Sequence, residues 1–390
     1  MVLKVGQGAA APPFLAMDVI ASANRRQAAL PAGAPRVIRM EVGQPGTGAP
    51  AGALAAARAA LGSGHALGYT EALGIRSLRE AIARHHAAWY GAEVSPGRVA
   101  VTTGASAAFP LAFLAAFDRG DRVALAAPFY PPYVNILTAL GLVPVVLEAG
   151  ADTRFQPTVA MLEALARAPG GLPDGLIVAS PGNPAGTMLR PEELRAIAEW
   201  CHAQGVRLVS DEIYHGLQYG VPVATAAAFS PSAIVVNSFS KYFSMTGWRV
   251  GWMVLPEALV RPVECLAQNL FISAPHLSQL AAEAALGCGP ELDANVAAYR
   301  RSRALLLREM PGVGFGRLSP AEGAFYLYAD VSERTGDSVA FCARMLEEAG
   351  VAATPGVDFD RTRGGRFVRF SYCGAEADVA EAVERLRGFA

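Results

Sequence analysis

Seven short apolar runs, separated by helical or turn-rich stretches, constrain this chain more than any other feature. They are "RVAVTT" (98–103), "RVALAAP" (122–128), "VPVVLE" (143–148), "LIVAS" (176–180), "VRLVSD" (206–211), "AIVVNS" (233–238) and "WRVGWMVL" (248–255). Each is β-rich and reads as a buried strand. Helical stretches lie between several of them, such as 105–117 and "RPEELRAIAEWCHAQG" (190–205). In the latter, Pro191 sits in the first turn, Glu192 and Glu193 follow, and Gly205 closes the segment. Strands alternating with helices predict an α/β domain around a mostly parallel central sheet flanked by helices.

The last third has a different rhythm. Helical "ELDANVAAYRRSRALLLREM" (291–310) precedes strand-like "AFYLYADV" (324–331), helical "SVAFCARMLEEAG" (338–350), strand-like "GRFVRFSY" (365–372) and a final helix. This pattern predicts a smaller α+β domain. The expected division is an N-terminal segment, 1–46, packing on the small domain, a large domain, 47–285, and the small domain, 286–390.

The 390 residues suffice for two domains and a large core. A formal net charge of −1 speaks against a broad electrostatic footprint for nucleic acid or an anionic membrane. No apolar run approaches the twenty residues of a spanning helix, and the N-terminus does not read as a signal peptide. The five cysteines are scattered, odd in number and lack CxxC spacing, so neither a zinc site nor a disulfide framework is expected. A reducing cytoplasm fits these features best, and no metal is expected.

Ligands of open α/β sheets collect beyond the carboxyl ends of the strands. After the first run comes Gly104-Ala105-Ser106 opening a helix, which suits a phosphate but equally a plain cap. After the second come Tyr130 and Tyr133 among prolines, which can stack on a flat ligand or simply pack. After the fourth comes Asn183, locked between Pro181 and Pro184. After the fifth comes Asp211, whose burial demands a partner.

After the sixth come Ser238, Ser240 and Lys241, with Arg249 eight residues on. Lys241 is one of only two lysines, the other being Lys4, in a chain that otherwise uses arginine for positive charge. A lysine amine can lose its proton when desolvated and form a Schiff base, whereas a guanidinium stays charged. Together these groups suit one ligand bearing a phosphate, a flat ring with a basic nitrogen, a ring hydroxyl and an aldehyde. Pyridoxal 5′-phosphate has all four.

The chain resembles the class I and II aminotransferases, the fold-type I group of pyridoxal-phosphate-dependent transferases. The resemblance rests on "GYTEALGIRSLREAIA" (68–83), "VTTGASAAF" (101–109), "SPGNPAGT" (180–187), "DEIY" (211–214), "SFSKYFSMTGWRVGW" (238–252), "PAEGAFYLY" (320–328) and "VRFSY" (368–372). It implies that Lys241 forms the Schiff base and carries the Cα proton, while Asp211 keeps the ring nitrogen protonated. Asn183 and Tyr214 would bind the ring oxygen, Tyr130 would stack on the ring, and Ala105, Ser106, Ser238, Ser240 and Arg249 would hold the phosphate. Arg369 would grip the substrate carboxylate, with Asn183 and a backbone contact from Gly43. Tyr69 would reach the phosphate of a neighbouring subunit, implying a homodimer with shared sites.

The implied reaction moves an amino group from an L-amino acid to a 2-oxo acid in ping-pong fashion. Position 106 is serine where some dicarboxylate-specific members carry lysine, which speaks against an aspartate-type substrate. Arg36 and Arg39 could serve a second carboxylate or lie in solvent, and Phe14, Met17, Phe325 and Tyr326 could line an apolar pocket or belong to the core. A carbon–sulfur β-lyase on the same site is the nearest alternative. A ligand sensor lacks room for a DNA-binding unit, and the glycine-rich "GVGFG" (312–316) lacks the following helix of a nicotinamide dehydrogenase.

Overall fold

The computed structural model describes residues 3–64 and 66–389. All seven expected strands form. They are β1 (Val99–Thr102), β2 (Arg122–Ala127), β3 (Val143–Glu148), β4 (Gly175–Ala179), β5 (Arg207–Asp211), β6 (Ile234–Ser238) and β7 (Gly251–Val254). They make one sheet in the order β1-β7-β6-β5-β4-β2-β3. Pairings are parallel from β6 through β3, and β7 alone runs antiparallel to its two neighbours.

Because β7 is reversed, its first residue, Gly251, lies opposite both Thr102 and Ser238. The carboxyl ends of six strands and the amino end of the seventh therefore meet at one edge. Alternate residues feed two cores on the two faces: Val235 and Val254 belong to one, Ile234, Val236 and Met253 to the other. Strand β3 departs from the expected burial. It pairs only with β2, and Val143 and Val146 are largely exposed at the sheet's edge.

Local chemistry sets the helices. Pro191–Gln204 starts with proline at its first position, where a missing N–H costs nothing. Glu193 reaches back to the Arg190 N–H at 2.7 Å, and Gly205 ends the helix at φ 72°. The helix Ala105–Ala116 begins at Gly104, which has φ 71°.

The smaller unit holds an antiparallel sheet of β8 (Arg317–Leu318), β9 (Tyr326–Asp330), β10 (Thr354–Pro355) and β11 (Phe367–Ser371), ordered β10-β11-β9-β8. The N-terminal segment joins it twice. Ile38–Arg39 pairs in parallel with Val351–Ala352, and the Asp358 carboxylate accepts the N–H groups of Leu15 and Ala16 at 2.9 and 3.0 Å. Those amides open the helix Leu15–Ala28, so Asp358 caps it from 342 residues away.

"GVGFG" is a helix end: Gly314 takes φ 90° and Phe315 is buried. All five cysteines are free thiols. Among the described residues no helix is long and apolar enough to cross a membrane, and no cluster of three metal-ligating side chains occurs.

Candidate active site

A cavity of about 610 Å3 opens where the sheet's carboxyl edge meets the small sheet. It collects Gly43, Ala105, Ser106, Tyr130, Asn183, Asp211, Tyr214, Ser240, Lys241, Arg249 and Arg369. Ser238 lies just behind, its Oγ 2.9 Å from that of Ser240. Tyr69 is outside this cavity, with 82% of its surface exposed.

One end of the cavity is an anion cradle. The helix Ala105–Ala116 offers its free N-terminal amides there. Arg249, itself at φ 56°, is anchored to the Thr246 carbonyl at 3.0 Å and lies 3.4 Å from Ser106 Oγ. A Cβ on Gly104 would run into that guanidinium. With Ser238 and Ser240 close by, the donors suit a dianionic phosphate.

The floor carries Asp211, which is buried, and Lys241, which is half-buried. Asp211 accepts the Ile213 N–H at 3.0 Å and a hydrogen bond from the Tyr133 hydroxyl. Burial pushes its pKa up to about 6 even so. Burial also pulls the Lys241 amine down to about 8, with Arg369 and Arg249 nearby adding to the effect and Cys373 and Asp211 opposing it. Lys241 Nζ donates to the Gly43 carbonyl at 2.5 Å. A carboxylate and an amine thus sit in one enclosed space with pKa values displaced toward neutrality.

The far wall holds Arg369, which is 2% exposed in the middle of β11. Its Nη1 donates to Asn183 Oδ1 at 2.9 Å, and its Nη2 to the Glu41 carbonyl at 2.6 Å and Thr354 Oγ1 at 3.0 Å. The guanidinium lies 4.5 Å from the Tyr326 ring centre. Its Nε has no partner among the described residues.

Sequence reasoning gave three lining residues no definite role: it left Tyr133 and Tyr326 open and passed over Glu41. Tyr133 binds Asp211; only its place in the "FYPPY" run pointed to it. Tyr326, left open between pocket and core, lines the cavity with its hydroxyl 2.7 Å from that of Tyr214. Buried Glu41 lines it too; its Oε2 is unpartnered among the described residues, and burial raises its pKa.

Phe14, Met17, Ile20, Phe109 and Ile136 supply an apolar wall, with Phe14 set edge-on to Tyr130 at 5.7 Å. Phe325 is core instead, packed on Tyr214 and Tyr299. Arg36 pairs with Asp378, and Arg39 with Glu41 at 2.5 Å and Asn24 at 2.7 Å. Neither lines the cavity.

An anion cradle, a carboxylate, an amine and a buried arginine thus face one cavity, a donor set suited to group-transfer chemistry on a small molecule. The family model of the class I and II aminotransferases matches residues 35–386. The valine–pyruvate aminotransferase of Mycobacterium tuberculosis is 49% identical over 98% of this chain and 97% of its own length. A crystal structure of an aminotransferase from the same organism superposes with a TM-score of 0.95 at 49% identity, covering 100% of this chain and 99% of that one. An aspartate aminotransferase from Thermus thermophilus, solved with maleate, superposes at 0.90 with 31% identity, covering 98% of this chain and 99% of that one.

This chain belongs to the class I and II aminotransferases. It is an enzyme that transfers amino groups between small molecules.

Proposed function

We propose that the chain is a pyridoxal 5′-phosphate-dependent aminotransferase that takes its amino group from an aliphatic L-amino acid such as valine and delivers it to a short 2-oxo acid such as pyruvate. The observation that carries this reading is the enclosed pairing of Lys241 with Asp211 beside the cradle of Ser106 and Arg249. When bound, the cofactor supplies an electrophilic carbonyl carbon and a conjugated cationic ring that accepts the electron pair released at the substrate's Cα.

The chain's own groups do the rest. Lys241, neutral above about pH 8, would take the proton from the substrate's Cα and return it across the nitrogen to the cofactor's former carbonyl carbon. Asp211, ionised above about pH 6, holds a proton on the ring nitrogen, and Tyr133 steadies that carboxylate. Asn183, whose side-chain oxygen accepts from Arg369, would offer its N–H groups to the ring oxygen together with the Tyr214 hydroxyl. Tyr130 covers the ring and Gly43 borders the substrate. Arg369 orients the substrate by its carboxylate, so that the Cα–H bond faces Lys241.

Three features support an aliphatic donor: the apolar wall from Phe14 to Ile136, the absence among the described residues of a lining arginine beyond Arg249 and Arg369, and the buried Glu41. A carboxylate-bearing side chain would enter an apolar pocket beside another carboxylate. The name of the 49%-identical relative agrees.

The proposal includes a homodimer. Exposed Tyr69 adjoins an exposed apolar run, Leu270 to Ile272, through a bond from the Thr70 N–H to Ser273 Oγ at 3.3 Å. A second copy would bury this patch and receive Tyr69 at its phosphate cradle. The reading also takes in domains divided near residue 285 and a cytoplasmic location, in keeping with five free thiols.

The test is a visible absorbance titration with the cofactor, in the native protein and in Lys241→Ala. A Lys241-dependent band that fades with valine and returns with pyruvate supports the reading. A band unchanged in Lys241→Ala removes Lys241 from its role. A Lys241-dependent band with pyruvate release but no exchange would instead indicate the lyase.

A further inference from the structure

A second cavity, of about 540 Å3, shares no lining residue with the first. Its walls come from both units of the fold. Pro128 and Phe155 belong to loops of the large sheet, and Leu318, Pro320 and Phe367 to the small one. The volume lies within the range of small-molecule sites, and these walls are apolar.

Two polar side chains in the lining, Tyr328 and Arg366, have no side-chain hydrogen-bond partner among the described residues. Tyr328 is 2% exposed, and its hydroxyl has no hydrogen-bond partner among the described residues. Its ring is fixed, parallel to Phe367 at 4.7 Å and edge-on to Phe155 at 5.9 Å. An unsatisfied buried hydroxyl is destabilising, so its persistence calls for a cause. The second group is Arg366.

The other three guanidinium groups in the lining each have a carboxylate partner, although Arg154 Nε is left without a hydrogen bond among the described residues. Arg154 pairs with Glu193 at 2.6 Å, Arg363 with Asp360 at 2.7 Å, and Arg317 with Glu333 at 3.4 Å and Asp330 at 3.6 Å. Arg366 has no carboxylate at ion-pair distance among the described residues and lies 5.5 Å from the Phe367 ring centre. One spare cation, one spare hydroxyl and aromatic walls suit a singly charged acid with an apolar body. A dianion would be left half-matched.

The strands tie this cavity to the active one. Residues two apart on a strand share a face. Tyr326 and Tyr328 therefore point to the same side of β9, and Phe367 and Arg369 to the same side of β11. In each pair one residue lines the active cavity and the other lines the second. Tyr328 stands directly opposite Arg369 in the register.

We infer that the second cavity is a regulatory site for a small apolar monocarboxylate, held by Tyr328 and Arg366. Occupancy fixes the small sheet against the loop at Phe155 and so biases the placement of Arg369 and Tyr326. Coupling of this kind is reciprocal: the bound acid alters amino-donor affinity by the same factor as the donor alters its own.

Benzoate is the probe, titrated calorimetrically into the cofactor-loaded enzyme. Because benzoate can also engage Arg369, two variants separate the cavities. Arg366→Ala alters an exposed side chain, and Tyr328→Phe keeps the ring stack while removing the hydroxyl. The expected result is a benzoate site weakened about tenfold in Arg366→Ala and several-fold in Tyr328→Phe. Steady-state inhibition or activation should carry a non-competitive component that both variants lose. Identical isotherms in the native enzyme and both variants, or purely competitive inhibition, would overturn the proposal. Both readouts compare variants at the second cavity, so the identity of the amino donor does not enter.

Discussion

At Asp211 the demands of stability and of chemistry diverge. Its folded pKa of about 6 stands above the ordinary 3.8 because burial disfavours the charge. Between those values the folded chain binds more protons than the unfolded one. The stability tied to protonated Asp211 is therefore complete below pH 4 and lost as pH rises through 6. In the cofactor-free protein, Asp211→Asn should raise stability by on the order of 2 to 3 kcal/mol above pH 6, with the gain vanishing near pH 4. Thermal melts of both proteins across pH 4–8 check this. An equal melting temperature at pH 7 would show that Tyr133 and Ile213 already offset the burial. In the loaded enzyme the same change should nearly abolish turnover.

Site residues were legible at this scale wherever chain position alone aimed them. Lys241 stood out by its rarity, and Asp211 and Asn183 by following strands directly. Tyr133 and Glu41 did not, because their significance is a contact. Tyr133 meets Asp211 across 78 residues, and nothing near either position announces the other. The orphaned Oε2 of Glu41 is visible only once Arg39 has been seen to take Oε1.

Among the elements, the turn from β1 into Ala105–Ala116 has the least latitude. Gly104 combines φ 71° with a position against the Arg249 guanidinium, so any side chain there is both strained and blocked. Gly104→Ala should fold, since the turn lies at the sheet's edge, but should weaken cofactor binding by more than about tenfold through a displaced Arg249. A visible titration of cofactor affinity measures it, with circular dichroism to confirm the fold. Unchanged affinity would mean that Arg249 is not part of the cradle.

Strand and helix positions were readable because burial on both faces and proline or glycine at helix ends leave local marks. The reversal of β7 left none: "WRVGWMVL" has the same apolar run as its parallel neighbours. The exposure of β3 was likewise hidden, since an edge is defined by what fails to pair beside it.

For the whole molecule, Tyr69 sets the expectation. If a second copy receives it at the phosphate cradle, Tyr69→Phe should lower cofactor affinity while the dimer mass by analytical ultracentrifugation stays the same. A monomer at micromolar concentration with full activity would sink the shared-site arrangement. Neither charge nor composition marked this surface. The family resemblance pointed to it through Tyr69, and the fold sets the exposed run Leu270 to Ile272 beside that residue.

The helix Leu15–Ala28 brings Ala16, Met17 and Ile20 to the active cavity, yet Asp358 fastens it to the small unit, and it contributes none of the groups assigned to the chemistry. One part of the apolar wall is thereby written in a stretch of chain apart from the reactive groups. Such a division gives an engineer, or an evolving lineage, a cassette. Replacing residues 12–28 while keeping the Asp358 latch would redraw which side chains are admitted, with Lys241, Asp211 and Arg369 left as they are.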